Sequence, residues 1–168
     1  MMEIFKDEAT KNALGQLCDF CLDHNYKITV AESVTSGLVQ LMLSSCPNAG
    51  FFFAGGLTVY SCMQKFKQLG ISNDMCQASS GVSEKISESM ALQICKKFRS
   101  EVGMSITGFA SPMPEKGIKE LYAYASFCFK DKIIFTERLT PKGETQLDIQ
   151  LDYASALLRL SAERIIQL

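Results

Sequence analysis

Histidine is almost missing from this sequence, tryptophan is wholly missing, and neither sign of charge predominates. The single histidine, His24, removes whole classes of chemistry. A histidine-rich metal site is impossible, and a Ser-His-Asp or Cys-His centre would have to be built on this one residue. His24 falls at the end of an amphipathic stretch, where a cation often caps helix carbonyls. With no second histidine and no paired CxxC motifs, no metal or other cofactor is expected.

Lys and Arg number 17 against 18 Asp and Glu, for a formal net charge of −1. A polyanion-binding chain usually shows a basic excess or stripe, so nucleic acid is not an expected partner. The short clusters Lys65-Phe66-Lys67 and Lys96-Lys97-Phe98-Arg99 read as solvated helix faces. No apolar run approaches the roughly 18 residues of a membrane-spanning helix. The start, Met1-Met2-Glu3-Ile4-Phe5-Lys6-Asp7-Glu8, lacks the apolar core of a targeting segment. Seven cysteines, an odd number scattered through apolar contexts, suit reduced, buried thiols in a cytoplasmic chain better than a disulfide framework. Cys18-Asp19-Phe20-Cys21 has the spacing of a redox motif. It sits late in a helical pattern, with Leu14 and Leu17 on the same face, and reads as core packing.

What is present is ordinary for a globular protein, with 47% hydrophobic and 21% charged residues. The length suits a single domain over residues 1–168, burying roughly 68–70% of the unfolded surface. Periodicity predicts a helix over residues 7–24, then a strand at Lys27-Ile28-Thr29-Val30-Ala31 and a helix through Leu38-Val39-Gln40-Leu41-Met42-Leu43. Residues 51–60 read as apolar and extended. The run Phe51-Phe52-Phe53 suits either a buried strand or an interface. A short helix over 61–69 ends at Gly70, and another begins after Ser83 with Ile86, Met90, Ile94 and Phe98 as its stripe. Residues 103–107 read as a buried strand and 109–118 as a loop. Strands over 121–129 and 132–139 are joined by Lys130-Asp131 in a tight hairpin. A closing helix over 144–166 directs Leu147, Leu151, Ala154, Leu157 and Leu158 inward. Alternating helices and strands, then a hairpin and a helix, imply an α/β fold, a three-layer α/β/α sandwich with a mixed sheet.

The chemistry concentrates at strand ends. Ala31-Glu32-Ser33-Val34-Thr35-Ser36-Gly37 places hydroxyls and backbone N–H groups at a helix start, which suits a phosphate or a developing oxyanion, although plain N-capping explains the same residues. Val59-Tyr60-Ser61 ends a second strand, with Lys65 one helical turn further on. Ile106-Thr107-Gly108 ends a third. Sites in open α/β sheets gather at such carboxyl ends. Ser33, Lys65 and Tyr60 can work without histidine, because a buried lysine of lowered pKa can take a serine's proton while a tyrosine orients or relays. N–H groups near Ser36 and Gly37 would then hold the anionic oxygen.

Four segments in register resemble the CinA C-terminal domain family of nicotinamide-nucleotide amidases. Ala31-Glu32-Ser33-x-Thr35-x-Gly37 is similar to A-E-S-C-T-G-G, and Val59-Tyr60-Ser61 with Lys65 and Leu69-Gly70-Ile71 to V-T-Y-S-N-x-x-K then L-L-G-V. Gly81-Val82-Ser83-Glu84 is similar to G-A-V-S-E, and Ser105-Ile106-Thr107-Gly108-Phe109-Ala110-x-Pro112 to A-V-T-G-I-A-G-P. The resemblance runs from about residue 8 to 165. It implies hydrolysis of the carboxamide of nicotinamide mononucleotide to nicotinate mononucleotide and ammonia. Ser33 would be the nucleophile and Tyr60 and Lys65 its activating partners. Glu32, Thr35, Ser36 and Gly37 would bind substrate at the anion-binding turn, and Thr107 and Gly108 would form the substrate wall. It also implies a homo-oligomer, and a stand-alone version of a domain that longer members carry behind another.

The departures fall at the same place. Ser36 stands for a glycine and Val34 for a cysteine. The family's G-P-x-G-G loop becomes Ser111-Pro112-Met113-Pro114-Glu115-Lys116-Gly117, and prolines stiffen a loop and remove N–H groups. The closing helix of the family begins G-D-R-x-x-[VI]-R, but here it is Gly143-Glu144-Thr145-Gln146-Leu147-Asp148-Ile149. Losing a charge-assisted phosphate contact of about 1.5–3 kcal/mol weakens binding roughly ten- to a hundred-fold, unless Lys119 or Lys142 compensates. Two expectations stay open: an amidase with a weakened phosphate grip, or an inactive relative that binds a nucleotide or regulates.

Overall fold

The computed structural model describes residues 7–168; the N-terminal segment read above for a targeting signal lies mostly outside the described residues. The first helix, α1 (Glu8–Asp23), starts where Asp7 accepts from the Thr10 N–H and ends at His24. Strand β1 (Ile28–Glu32) is buried along its whole length. Helix α2 (Leu38–Ser44) and the short α3 (Ala49–Phe52) lead into β2 (Phe53–Thr58). Then come α4 (Cys62–Leu69), α5 (Asn73–Ala78), α6 (Glu84–Phe98) and β3 (Val102–Gly108). A 3-10 turn over Pro114–Lys116 interrupts the next loop, and β4 (Ala123–Phe129), β5 (Lys132–Leu139) and α7 (Gln146–Ile165) complete the chain.

The sheet order is β2-β1-β3-β4-β5. The first three strands are parallel and the last two antiparallel to their neighbours, so the sheet is mixed. Helices α1, α2 and α7 pack together on one face, and α6 lies across all five strands on the other with α4 beside it. Alternation along the strands feeds both cores: Ile28 and Val30 join Leu17, Leu43 and Leu157 on the α7 side, while Ala31 joins Ile86, Met90 and Ile94 beneath α6. This is the three-layer α/β/α sandwich with a mixed sheet.

Four local readings change. The phenylalanine run is divided, with Phe51 exposed on α3, Phe52 fully buried and only Phe53 in a strand. Helix α5, with Ser72 as its N-cap, fills a stretch for which the sequence suggested no element. Leu147, expected inward, is 40% exposed because it lies in the first turn of α7, before that helix reaches the sheet; Ile149 takes the inward place. Lys65 leaves the expected solvated cluster altogether and turns into the protein. The hairpin turn at Lys130-Asp131 has positive φ at both residues, 47° and 62°, the backbone of a type I′ turn without its usual Asn-Gly.

Helix α7 holds the two loops that follow β1 and β3. Gln150 Nε2 donates to the Val34 carbonyl at 2.8 Å, and the buried Tyr153 hydroxyl donates to the Phe109 carbonyl at 3.1 Å. Burial pushes the Tyr153 phenol above its ordinary range, so it stays a donor. Tyr153→Phe keeps the ring and leaves the Phe109 carbonyl without that partner. A loss of about 1–2 kcal/mol of unfolding free energy is expected, read as a lower urea midpoint at unchanged slope.

Candidate functional site

Three strand ends converge at the carboxyl edge of the sheet. The Ser33 N–H donates to the Ile106 carbonyl at 3.0 Å and the Val59 N–H to the Glu32 carbonyl at 2.8 Å. These bonds extend the ladders just beyond β1 and fix Ser33 between its two neighbouring strands. Beyond this edge opens a cavity of ≈ 650 Å³. Ser33 and Lys65 line its floor, Tyr60, Ser61, Cys62 and Met63 one wall, Gly81 and Val82 another, and residues 107–111 with Met113 the side beneath α7.

Lys65 is the decisive side chain. Helix α4 is amphipathic, and positions 65 and 69 share its inner face, so Lys65 is directed inward above Leu69 and is only 1% exposed. Its Nζ donates to Ser33 Oγ at 2.9 Å and to the Val59 carbonyl at 2.9 Å. Burial lowers the Lys65 pKa from a lysine's ordinary value, and the Cys76 and Cys62 thiols nearby partly oppose that shift. An amine so placed is easier to deprotonate than a surface lysine, and once neutral it can take the Ser33 proton.

The other residues singled out in the sequence take distinct places. Glu32 is fully buried beside Ser33 and does not line the cavity. Its carboxylate accepts from Thr35 Oγ1 at 2.5 Å and from the N–H groups of Gly37 at 3.0 Å, Val39 at 3.2 Å and Gln40 at 2.8 Å. The protein's own carboxylate thus occupies the anion-binding position at the start of α2. Thr35 is buried against it. The Ser36 N–H turns back to the Ser33 carbonyl, so the Ser36 and Gly37 amides are both already used within the turn. Ser36 adopts φ 52° and Gly37 φ 102°, two successive left-handed residues. The family's glycine at position 36 takes that conformation freely, whereas a serine strains by about 1 kcal/mol.

Tyr60 stands at the rim, 66% exposed, and its hydroxyl reaches neither Ser33 nor Lys65 among the described hydrogen bonds. Thr107 and Gly108 both line the cavity, and the Thr107 hydroxyl is taken up by the Gly81 carbonyl at 2.7 Å. Sequence reasoning missed the Val59 carbonyl, which no side-chain motif can announce, and the Gly81-Val82 wall, which tertiary folding brings in. Lys119 and Lys142 are exposed and line no part of the cavity, so Lys65 is its one cation among the described residues. Of the segment where the family carries arginines, Gln146 faces the cavity, Thr145 caps α7 and Ile149 is in the core. Among the described residues no group of three or more His, Cys, Asp or Glu is arranged to hold a metal, and no helix is long and apolar enough to cross a membrane.

A lysine of lowered folded-state pKa binds fewer protons folded than unfolded in the window just below about pH 10.4, so its contribution makes stability rise with pH there. Lys65→Met keeps the buried stem and removes the ionising amine. The rise is expected to flatten in that variant, read from urea unfolding of both proteins between about pH 7 and 10. Equal slopes would show that Lys65 does not titrate from a buried position.

Comparison with known proteins gives the family and agrees with the fold. The family model described as CinA C-terminal domain matches residues 10–164. A Clostridium kluyveri protein, named only as a candidate competence-damage inducible protein, is 33% identical over 119 residues, covering 69% of this chain and 28% of that protein. A similarly named protein of Natranaerobius thermophilus is 36% identical over 94 residues, 56% of this chain and 23% of its own. The chain therefore spans less than a third of the length of these relatives. The crystal structure of a CinA superfamily protein from Enterobacter cloacae superposes with a TM-score of 0.87 at 24% identity, covering 98% of both chains. A competence or damage-inducible protein of Enterobacter asburiae gives 0.87 at 21% identity, over 95% of this chain and 99% of that one. At these identities the two structures speak for the fold.

Proposed function

Because the chain belongs to the CinA C-terminal domain family, we propose that Ser33 and Lys65 form the reacting pair of a metal-independent amidase, converting nicotinamide mononucleotide to nicotinate mononucleotide and ammonia. The observation that carries this reading is the 2.9 Å hydrogen bond between a buried lysine amine and a serine hydroxyl on the floor of an open cavity. Phe109 and Met113 form part of the wall and leave the cavity open, as turnover requires.

The steps follow from that pair. Neutral Lys65 accepts the Ser33 proton as Oγ attacks the carboxamide carbon. The Val34 amide, next to Ser33 on the cavity lining and donating to no group among the described residues, is a backbone donor left for the oxyanion. Lys65 then gives its proton to the departing nitrogen, which leaves as ammonia, and a water activated by the same amine cleaves the acyl-serine to the carboxylate. The Val59 carbonyl keeps the amine aimed at Ser33 through each proton transfer. In this reading the exposed Tyr60 at the rim would meet the ribose or phosphate.

A second reading, a nucleotide-binding or regulatory module without turnover, is favoured by one specific observation: among the described residues the cavity offers a phosphate no cation other than Lys65, which is already committed to Ser33. Ammonia release from nicotinamide mononucleotide separates the two. Release is expected from the protein and is expected to fall at least about a thousand-fold in Ser33→Ala. Folded protein that releases none would leave the binding module. The uncharged walls give a further expectation. The 5′-phosphate should contribute less than about ten-fold to kcat/KM, measured by comparing the nucleotide with its riboside.

A further inference from the structure

Six of the seven cysteines stand in neighbouring pairs that the sequence keeps far apart: Cys18 with Cys46, Cys62 with Cys76, and Cys95 with Cys128. Their surroundings differ. In the first and last pairs the hydrogen bond between the thiols holds Cys46 and Cys95 below the ordinary thiol range and pushes Cys18 and Cys128 above it, with Asp19 and Asp131 as the nearby charges. Cys95 and Cys128, with sulfurs 3.3 Å apart, are also buried between α6 and the sheet. The pair on α4 and α5 has a lysine beside it instead. A Cβ placed on Gly81 would lie 3.6 Å from Cys62 Sγ, 3.6 Å from Cys76 Sγ and 3.7 Å from Lys65 Nζ, so these three groups surround one small space on the cavity wall. Cys62 is half-exposed and lines the cavity, whereas Cys76 is fully buried behind it.

From this geometry we infer that Cys62 and Cys76 are an oxidation site on the cavity wall, in which Cys62 meets a hydroperoxide and Cys76 resolves it to a disulfide between α4 and α5. In the first step the Cys62 sulfur attacks the peroxide oxygen, giving a sulfenic acid and releasing water or an alcohol. In the second the Cys76 sulfur displaces the sulfenic hydroxyl, which leaves with the thiol proton as water. The two thiols together lose two hydrogens, and the peroxide is the species reduced. Order follows from access: the cavity admits an oxidant to Cys62, and Cys76 is reachable only through it. Burial, followed by the hydrogen bond with Cys62, pushes the Cys76 thiol up to about 12, which suits a resolving partner rather than a first reactant. Gly81, at φ 80°, brings no side chain into the space that the two sulfurs and the Lys65 amine surround.

The bond would fix the first turn of the helix that carries Lys65. That consequence for turnover rests on the amidase reading, whereas the chemistry at the thiols does not. The test therefore reads the thiols. The full chain is exposed to hydrogen peroxide, quenched by alkylation and mapped by peptide mass spectrometry. A Cys62–Cys76 linked peptide is expected, reversed by dithiothreitol and formed at least about ten-fold faster than either other pair. Cys76→Ser should arrest at a Cys62 sulfenic acid captured by dimedone, and Cys62→Ser should leave Cys76 reduced at the same dose. First linkage at Cys18–Cys46 or Cys95–Cys128, or Cys62 passing to sulfinic acid while Cys76 stays reduced, would overturn the proposal.

Discussion

At the start of α2 the Glu32 carboxylate, shut off from solvent, accepts four hydrogen bonds from the residues that follow it, one from a hydroxyl and three from backbone amides. The chain leaves β1 inside the protein, and a helix start there exposes N–H groups that water cannot reach. A carboxylate satisfies several at once and benefits from the positive end of the helix. Each unpaired donor would cost about 1–3 kcal/mol, so the set is comparable to the net stability of an ordinary domain. The bonds also dictate the shape of the turn. Reaching back from Gln40 to Glu32 requires the chain to reverse through Ser36 and Gly37 at positive φ, and that reversal leaves Ser33 at the cavity floor. The anion-binding geometry of the turn thus shapes the site from within and is not open to a ligand.

Lys65 depends on this frame. A lysine at 1% exposure is tolerated because the ends of two strands supply fixed acceptors, the Ser33 hydroxyl and the Val59 carbonyl. The same burial that would destabilise a charged amine favours the neutral one, which is the form able to accept a proton. Stability and reactivity are therefore set by one balance. The thiols of Cys62 and Cys76 oppose part of the shift, so their chemistry reaches the lysine without touching the serine.

The sheet, its two helix layers and the convergence of three strand ends were legible because they rest on local signals: buried β-branched runs, 3.6-residue stripes, and the helix ends marked by Gly70 and Ser83. The nearness of Ser33 to Lys65 was legible from the resemblance and from strand-end placement. Composition alone gave the opposite reading of Lys65, since Lys65-Phe66-Lys67 looks like a solvated face. Only the phase of α4, with Lys65 and Leu69 four residues apart, separates the buried lysine from its exposed neighbour Lys67. The use of Glu32 as an internal cap was not legible, because an acidic residue before a hydroxyl-rich turn fits a ligand site equally well. The pairing of Cys62 with Cys76 and the Gly81 wall come from the way α5 folds back on α4, and α5 itself was unread, being six residues long with no stripe to reveal it.

Helix α7 shows how polar groups are used where a family motif is not kept. Where the family places arginines, Thr145 shares a reciprocal capping box with Asp148, and Ile149 packs into the core. An arginine at 149 would have to carry its charge out of that core, and one at 145 would give up the cap. Both positions now serve the anchoring of α7. Further along, Gln150 and Tyr153 use that anchored helix to hold the carbonyls of Val34 and Phe109, one on each side of the cavity. These bonds tie the loops on both sides of the cavity to α7. Rigid loops favour a ligand recognised by shape and by neutral hydrogen bonds, because they lower the ordering cost of binding while adding no electrostatic pull. In the proposed amidase, such a cavity would grip the part of a substrate next to the Ser33–Lys65 pair more firmly than a distant anionic end.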